Sequence, residues 1–301
     1  MRRILVTGAT GLVGQEIVKQ CIAQNIAVNY LSTSKSKLEN KPNCKGFYWN
    51  PSLGEIDTNC FNKVDTIINL AGATIAKRWT KDYKEEIKNS RVNSLQLLYK
   101  TIESKNISLK HIISASAVGI YPDSLTHYYE EEFNDFDDRF LSDVVTSWEN
   151  EVDAFKGLNI MVSKIRIGIV LSQKGGALPK LVKPIKLYAG SALGSGNQWQ
   201  SWIHIEDLAA MFLFVMSNKL EGVFNGVAPN AVTQKQLVKS ISKVVNRPIF
   251  LPAVPKFMLS LILGEMCTLV LESQRVSSKK IESLGYSFKF HHLQPALEDV
   301  L

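Results

Sequence analysis

The chain has 301 residues, of which 45% are hydrophobic and 21% are charged. This length allows one large core or two smaller ones, and the composition excludes a fibrous or disordered chain. The formal net charge of +7 comes from lysines and arginines scattered along the sequence. Because they form no block, we expect no nucleic-acid partner, whereas the positive balance suits an anionic ligand.

The amino-terminal segment combines a strand, a glycine-rich turn and a helix. An apolar run over 3–7 precedes the turn, and an amphipathic stripe over 12–22 follows it. In this context Gly8 permits a tight turn, Gly11 lets a pyrophosphate approach the backbone and Gly14 lets the helix pack closely. The free N–H groups at the helix start attract phosphate. We therefore expect a dinucleotide site, with a ligand-free turn as the alternative, formed by Gly8, Thr10, Gly11, Leu12, Val13 and Gly14.

The second predicted strand, 27–31, ends without an acidic residue. Dinucleotide folds that bind NAD usually carry an Asp or Glu about 20 residues after the glycines, which binds the ribose 2′-hydroxyl. Here the segment reads Ser-Thr-Ser-Lys-Ser-Lys over 32–37. Hydroxyls and lysines suit a 2′-phosphate. We expect NADP, with NAD and a solvated turn left open, and contacts from Ser32, Thr33, Ser34 and Lys35.

Apolar runs alternate with helical patterns through the rest of the first half. Strands are predicted at 47–49, 66–70, 111–115 and 159–165, and helices at 82–104 and 139–156. Asp82 and Glu85 are spaced like a capping box. Strands joined by crossover helices form a parallel sheet covered on both faces, so the prediction is an α/β fold with a doubly wound parallel Rossmann sheet. The apolar stripes of these two helices pack either on the sheet or on a second copy of the chain, so a homodimer is one of two alternatives.

The second half is less regular, because glycines and prolines divide it into short elements. A strand near 222–228 is predicted to return to the sheet. We assign residues 1–167 and this strand to an NAD(P)-binding Rossmann domain. Residues 168–205 and 229–301 are assigned to a smaller substrate-side domain, with the cleft between the two domains.

Location and metal content are constrained by the cysteines and by one apolar stretch. Cys21, Cys44, Cys60 and Cys267 lack metal-type spacing, so we expect no metal. Free thiols are typical of a reducing compartment, which predicts a cytoplasmic protein. The apolar stretch 257–271 is too short to span a bilayer, so we expect a packed helix and no membrane partner.

Motifs spread along the whole chain resemble one known family. They are VTGATGLVG at 6–14, INLAGA at 68–73, AKRWT at 76–80, SRV at 90–92, ISASAVGIYP at 113–122, QWQSWIHIEDL at 198–208 and GEMCTLVLESQRVSSKKIESLGYSF at 264–288. They resemble the extended short-chain dehydrogenase/reductase superfamily. More narrowly, they resemble its atypical epimerase-like group, often labelled nucleoside-diphosphate-sugar epimerase. The resemblance implies a Rossmann domain, an NAD(P) site and a substrate bound in a cleft, but it does not identify that substrate. We expect a small molecule, with a sugar nucleotide as one candidate. Further cofactor contacts are expected from Leu70, Ala71, Gly72, Arg91, Ser114 and Ile167.

The catalytic residues of that superfamily are only partly present. Its members normally use a Ser or Thr after the fifth strand and a Tyr-x-x-x-Lys pair on the next helix, where Lys lowers the pKa of Tyr. The chain contains no Tyr-x-x-x-Lys. We expect Ser116 to polarise a carbonyl and Tyr121 to be the proton donor, with a packing role for Tyr121 equally open. Without a lysine the phenol keeps a pKa of roughly 10, which makes it a poor base at neutral pH.

Further polar and aromatic residues are candidates for the substrate side. Arginines clamp phosphates or carboxylates, tryptophans stack on sugars, and a histidine is a general acid or base. Structural ion pairs, core packing and hydrogen bonding are the alternatives. Asp207 is expected to cap a helix that begins at Leu208. The candidates are Arg78, Trp79, Trp199, Trp202, His204 and Arg275.

Two functions follow from these residues. The first is an NADP-binding oxidoreductase or epimerase. The second is a non-catalytic dinucleotide-binding or sensing protein, which the missing Tyr-x-x-x-Lys pair favours. The polar and aromatic segments 76–80 and 198–207 favour the enzyme, because a sensor needs no lined pocket.

Overall fold

The computed structural model describes residues 2–301. Its strands are β1 (Arg3–Thr7), β2 (Ala27–Ser32), β3 (Asn40–Lys41), β4 (Cys44–Asn50), β5 (Glu55–Ile56), β6 (Thr66–Asn69), β7 (His111–Ala117), β8 (Tyr128–Tyr129), β9 (Met161–Ile167), β10 (Ile169–Leu171), β11 (Trp199–Gln200), β12 (Trp202–His204), β13 (Gly222–Gly226), β14 (Val232–Thr233) and β15 (Arg275–Val276). Its helices are α1 (Leu12–Ala23), α2 (Lys81–Ser104), α3 (Phe140–Asp153), α4 (Leu178–Lys186), α5 (Ile205–Ser217), α6 (Gln234–Val244), α7 (Lys256–Leu263), α8 (Thr268–Leu271), α9 (Lys279–Ser283) and α10 (Leu293–Val300).

The main sheet has the strand order β13-β9-β7-β6-β1-β2-β4-β3. Its strands are parallel except for β3, and β5 also pairs antiparallel with β4. In register, Ile4 of β1 lies between Val28 of β2 and Thr66 of β6. The chain runs outward from β1 to β4 and then crosses back to β6. The predicted doubly wound Rossmann sheet is confirmed, and its crevice for ligands lies where the order reverses, at the carboxyl ends of β1 and β6.

Helices cover the sheet in two pairs. α1 packs beside α5, and α2 packs beside α3. The right-handed crossovers from β1 to β2 and from β6 to β7 run in opposite directions, which places α1 and α2 on opposite faces of the sheet. The contacts of α5 with α1 and of α3 with α2 then give one pair to each face. Leu95 and Leu98 of α2 and Val152 of α3 are buried in the main core. α2 begins one residue earlier than expected, and its N-cap is Thr80, whose hydroxyl accepts from the Tyr83 N–H, so the predicted Asp82–Glu85 capping box is wrong.

A second apolar cluster lies apart from the main core. It joins α4, α6 and α10 around Trp202, which is fully buried. The segment before α10 docks on α5, where the Asp207 carboxylate accepts hydrogen bonds from the backbone N–H groups of Lys289 and Phe290. The expected capping role of Asp207 is therefore wrong. α5 begins at Ile205, and its N-cap is His204.

The apolar stretch after residue 256 differs from its prediction. α7 buries only Leu259, whereas Phe257 and Leu261 are 73% and 83% exposed. The expectation of a packed helix over 257–271 is therefore wrong for α7. Within residues 2–301, every helix is too short or too polar to cross a membrane.

Candidate cofactor and substrate site

The glycine turn between β1 and α1 forms a cradle for a phosphate. Gly8 has a φ of +67°, and a Cβ there would lie 2.8 Å from the Leu70 carbonyl oxygen. Gly11 is the N-cap of α1 and has no side chain to cap it, and the first turn contains no acidic residue. The N–H groups that open α1, including those of Leu12 and Val13, therefore have no intrahelical partner. They offer an anion both hydrogen bonds and the positive end of the helix dipole.

A chain of buried polar groups fixes the strand ends beside this turn. The Thr7 hydroxyl donates to Asn69 Oδ1 at 2.7 Å and accepts from the N–H groups of Leu70 and Ala71. The Asn69 amide donates to Ser114 Oγ at 3.0 Å. These bonds hold residues 70–72 against the cradle. The Ser114 side chain is fully buried in this chain, so its hydroxyl does not reach a ligand as the sequence suggested.

The end of β2 presents hydroxyls and lysines. Ser32 Oγ accepts from the Ser34 N–H at 3.2 Å, which shapes the turn. Ser34 Oγ lies 2.8 Å from Ser36 Oγ, and Thr33 and Lys35 are exposed. The Lys35 ammonium sits 5.0 Å from the ring centre of Tyr48. No carboxylate is present over 32–38, so the local charge favours an additional phosphate over a ribose hydroxyl.

A mainly apolar cleft of about 180 Å³ lies beyond the ends of β7 and β9. The strand ends contribute small or aliphatic side chains, α3 contributes a hydrophobic wall, and segments after β10 and near α8 close the far side. Its principal lining residues are Arg91, Ala117, Leu141, Val145, Trp148, Ile167, Trp199, Gln200, Leu269, Glu272 and Gln274.

The cleft is lined by apolar residues at the positions where acid–base groups would face a substrate. Leu141 and Val145 are four residues apart on α3 and both line the cleft, so a Tyr-x-x-x-Lys pair at these positions would face it. On β7 the cleft is lined by Ala117. Side chains alternate along a strand, which turns Ser116 to the other face.

Ser116 belongs instead to a buried ionic cluster behind the cleft. Its hydroxyl donates to Glu149 Oε1 at 2.6 Å. Arg166 holds the same carboxylate through two hydrogen bonds of 2.9 and 3.0 Å, and Lys164 lies 3.5 Å away. Burial raises the pKa of Glu149, but the hydrogen bonds and charge of Arg166 outweigh it and lower the pKa below its usual range. Ser116 is therefore placed to support this carboxylate, not to polarise a substrate.

Tyr121 is also removed from the cleft. Its side chain is fully buried, and its hydroxyl donates to Asn225 Oδ1 at 2.8 Å and accepts from Arg166 Nη1 at 3.0 Å. Burial raises its pKa to about 12, although Arg166 opposes the shift. A phenol with this pKa and no route to the cleft does not suit the predicted role of proton donor. Of the two roles left open by the sequence, its surroundings match packing.

Arg91 is the cation that faces the cleft. Its Nη1 donates to the Ile87 carbonyl at 2.7 Å, and its guanidinium lies 5.0 Å from the ring centre of Trp148. Gly72 leaves room for it, since a Cβ there would lie 3.1 Å from the guanidinium carbon. Burial lowers the pKa of Arg91 to about 10. Within residues 2–301 no carboxylate oxygen lies within 4.0 Å of it, so the charge suits an anionic ligand.

The predicted aromatic and arginine contacts divide between the cleft and the scaffold. Trp199 lines the cleft. Arg275 is exposed and is not among the lining residues, and its guanidinium carbon lies 4.5 Å from the ring centre of Trp199. Trp202 and Trp79 are buried and donate to backbone carbonyls, so both belong to the scaffold. Arg78 is exposed on the loop beside Gly264.

His204 lies away from the cleft. Its Nδ1 accepts from the Glu206 N–H at the start of α5, and its Nε2 is 3.3 Å from Asp299 Oδ2. Burial lowers its pKa, and the Asp299 carboxylate opposes this shift. It borders a separate cavity next to α1, so its position differs from the substrate contact that the sequence suggested.

Curated relatives match the chain from end to end. An epimerase family protein of Staphylococcus aureus (strain MRSA252) is 38% identical over 302 residues, which is 100% of this chain and 99% of the relative. One from Staphylococcus haemolyticus (strain JCSC1435) is 36% identical over 304 residues, with the same coverage. The chain belongs to the epimerase family. Profiles described as the NAD dependent epimerase/dehydratase family and as a domain of unknown function, DUF1731, match residues 4–140 and 254–300.

Solved structures show the same relationship. A human epimerase family protein crystallised with NADPH superimposes with a TM-score of 0.84 at 30% identity, covering 99% of this chain and 98% of that one. A nucleoside-diphosphate sugar epimerase from Corynebacterium glutamicum gives 0.77 at 27% identity, covering 100% of this chain and 58% of that one. A Thermus thermophilus UDP-glucose 4-epimerase in complex with NAD gives 0.78 at 14% identity over 99% of this chain and 97% of that one, a likeness of fold alone.

Several residues of this epimerase-family site were not found from the sequence. Gln200, Glu272 and Gln274 line the cleft, and Glu272 also forms an ion pair with Arg139, which precedes α3. Glu149 forms the centre of the buried cluster. One local signal does bear on this cluster. Side chains alternate along β7, so Ser114 and Ser116 share one face and Ala117 lies on the other, which predicts that Ser116 and Ala117 cannot both line the cleft.

Proposed function

We propose that this epimerase-family chain binds NADPH and acts as an oxidoreductase on a small molecule held in the cleft. One observation carries the cofactor assignment: the uncapped start of α1 and the acid-free end of β2 lie at the carboxyl ends of adjacent strands. A pyrophosphate at α1 and a 2′-phosphate near Ser32–Lys35 match the two ends of one dinucleotide. The human relative, solved with NADPH, supports the same choice.

Arg91 is assigned to the anionic part of the bound cofactor. Its guanidinium lies against Gly72, in the segment that follows β6, the strand paired with β1. No carboxylate oxygen of residues 2–301 lies within 4.0 Å of it. A bound phosphate would supply the missing counter-charge. The remaining expected cofactor contacts from Leu70, Ala71 and Ile167 fit this arrangement through their backbone positions at the strand ends.

NADPH supplies a hydride when it is bound at such a site. The chain itself encloses the cleft with Ala117, Leu141 and Val145, which keep water away from the reacting carbon. Gln200 and Gln274 are two of the neutral polar residues in the lining, and their amides are available to orient a substrate. A cavity of about 180 Å³ suits a small carbonyl compound better than a whole sugar nucleotide.

A non-catalytic dinucleotide-binding protein is the second candidate. The observation that favours it is the apolar lining at the positions where a serine, a tyrosine and a lysine would act. A stereospecific isotope experiment separates the two candidates. Transfer of deuterium from one face of 4-deuterated NADPH to any member of a carbonyl panel supports the enzyme, and NADPH binding without transfer supports the sensor.

The cofactor assignment is tested by titrating the protein with NADPH and NADH, following nicotinamide fluorescence and thermal stability together. NADPH at about 100 times its dissociation constant should add roughly 2.7 kcal/mol of stability. Lys35→Glu should weaken NADPH by about tenfold and leave NADH unchanged, since only the former carries the 2′-phosphate. Lys110→Glu is the matched control, because the exposed Lys110 precedes β7 and so lies at the amino ends of the parallel strands, away from the proposed site. If the protein binds neither NADPH nor NADH, the proposal is overturned.

A further inference from the structure

α7 turns an apolar face to solvent. Phe257, Met258, Leu261 and Ile262 are 73%, 44%, 83% and 67% exposed. They recur one and four residues apart, so they share one side of the helix. On the opposite side Leu259 is buried, and Ser260 Oγ lies 3.5 Å from the Sγ of the buried Cys267. Large apolar side chains grouped in this way mark a surface that contacts another apolar phase.

Further exposed apolar residues lie in neighbouring segments. Leu187 and Tyr188 follow α4, and Phe250 and Leu251 precede α7. The two segments run side by side, because Leu193 forms a bridge with Val254. Arg247 stacks on Tyr188 with 5.3 Å between the guanidinium carbon and the ring centre. We call α7, residues 187–188 and residues 250–251 the apolar surface.

The excess of positive over negative charge falls in the part of the sequence that leads up to α7, because acidic residues are scarce there. Residues 174–256 contain ten Lys and Arg but three Asp and Glu, while the rest of the chain has 25 of each. Residues 174–256, which include residues 187–188 and 250–251 of the apolar surface, therefore carry a net charge of +7, equal to that of the whole chain. Lys183, Lys186, Lys243 and Lys256 are exposed there. Near the other end of α7, Arg78 lies beside Gly264, and Lys180 donates to the Ala76 carbonyl.

We propose that the apolar surface docks on an anionic lipid bilayer. Its apolar side chains enter the boundary between headgroups and acyl chains, and the surrounding lysines and arginines meet the negative headgroups. This is a contact with the face of a membrane, in place of the earlier expectation of no membrane partner. A second copy of the chain is a poorer occupant, because a symmetric contact would bring two strongly positive regions together.

Vesicle co-sedimentation tests the proposal with the intact chain. We expect binding to phosphatidylglycerol–phosphatidylcholine vesicles, weaker binding to pure phosphatidylcholine, and release by salt. The double variant Phe257→Ser/Leu261→Ser should lower the partition coefficient at least about tenfold, since it removes two apolar anchors. Leu53→Ser is the matched control, because Leu53 is 69% exposed but lies in the turn between β4 and β5. NADPH titration and thermal melting check that each variant is folded.

A direct readout comes from Leu261→Cys carrying an environment-sensitive dye. The four native cysteines are buried, so labelling is selective for the new thiol. A blue shift on adding phosphatidylglycerol vesicles supports the proposal. Three results would overturn it: no binding to these vesicles, binding that Phe257→Ser/Leu261→Ser leaves unchanged, or equal binding to neutral vesicles. A concentration-dependent dimer that the double variant dissolves would assign the surface to a second copy and also overturn it.

Discussion

Gly14 occupies a position in α1 where a larger side chain does not fit. A Cβ there would lie 2.3 Å from the Gly8 carbonyl oxygen and 2.7 Å from the Ala9 Cα. Both are backbone atoms, so Gly14→Ala must move the start of α1 away from the turn. We expect a loss of about 1–3 kcal/mol in the free energy of unfolding, which is typical of overpacking. NADPH affinity should fall with it, because the displaced N–H groups no longer converge on a phosphate.

Chemical denaturation and NADPH titration of Gly14→Ala measure both effects. Gly157→Ala is the matched control, since no atom lies within 4 Å of a Cβ at Gly157. If Gly14→Ala binds NADPH as the wild type does, the glycine turn is not the phosphate cradle.

Tyr121 gives a second test at the residue scale. Tyr121→Phe leaves Asn225 Oδ1 and Arg166 Nη1 each without a partner in a buried environment. We expect a loss of about 1–3 kcal/mol of stability. NADPH affinity and the rate of any NADPH-dependent reaction should stay unchanged, because the phenol does not reach the cleft. Denaturation curves and initial rates on one preparation separate these effects. A large fall in rate at unchanged stability would restore the catalytic role first predicted for this tyrosine.

At the scale of elements, the Glu149–Arg166 pair ties α3 to β9. Glu149→Gln leaves the buried Arg166 charge uncompensated, so we expect a loss of about 3–5 kcal/mol of stability. The pKa of Glu149 is lowered in the folded protein from its usual 4.5. A carboxylate of this kind stabilises the fold above its unfolded pKa, and this contribution is lost as pH falls through the folded pKa.

The pH dependence of unfolding is the measurement that isolates this carboxylate. From about pH 4.5 downward the wild type should lose stability more steeply than Glu149→Gln, because the variant has no carboxylate to protonate. Glu151→Gln on the same helix is the control, since Glu151 accepts from the Gln96 side-chain amide and has no cationic partner among residues 2–301. Parallel curves for the wild type and Glu149→Gln would contradict the assignment.

The elements themselves were largely predictable, and the contacts between them were not. Each main-sheet strand except β3 and β5 overlaps a predicted apolar run, because alternation with helical stripes is a local signal. The cap of α2 was missed because Thr80 and Asp82 are both good capping residues and only the backbone decides between them. Tyr121 was misjudged for a different reason. Its partners Arg166 and Asn225 are 45 and 104 residues away in sequence, so no local pattern reports its burial.

The same limit applies at the scale of the whole molecule. The dinucleotide cradle was predictable because its glycines are contiguous with the strand and helix that use them. The cleft draws its walls from α3, from the segment around Trp199 and from residues 268–274. Which of these residues face inward depends on how the carboxyl-terminal part of the chain docks on the sheet, and the sequence does not report this. His204, predicted near the substrate, is instead beside α10 for that reason.

The oligomeric state is a prediction that belongs to the whole molecule. In the part of the chain described, 2–301, neither α2 nor α3 contains an exposed large apolar side chain. Their apolar stripes are used within one chain, where Leu95 and Leu98 of α2 and Trp148 of α3 join the main core. A stable dimer usually buries at least about 1,200 Å² with a hydrophobic centre, which these two helices do not offer. We therefore expect a monomer in lipid-free solution, with or without NADPH. Sedimentation velocity over a range of protein concentrations measures this, and a dimer disrupted by a charged residue at Asn93 of α2 would show that the two helices form an interface.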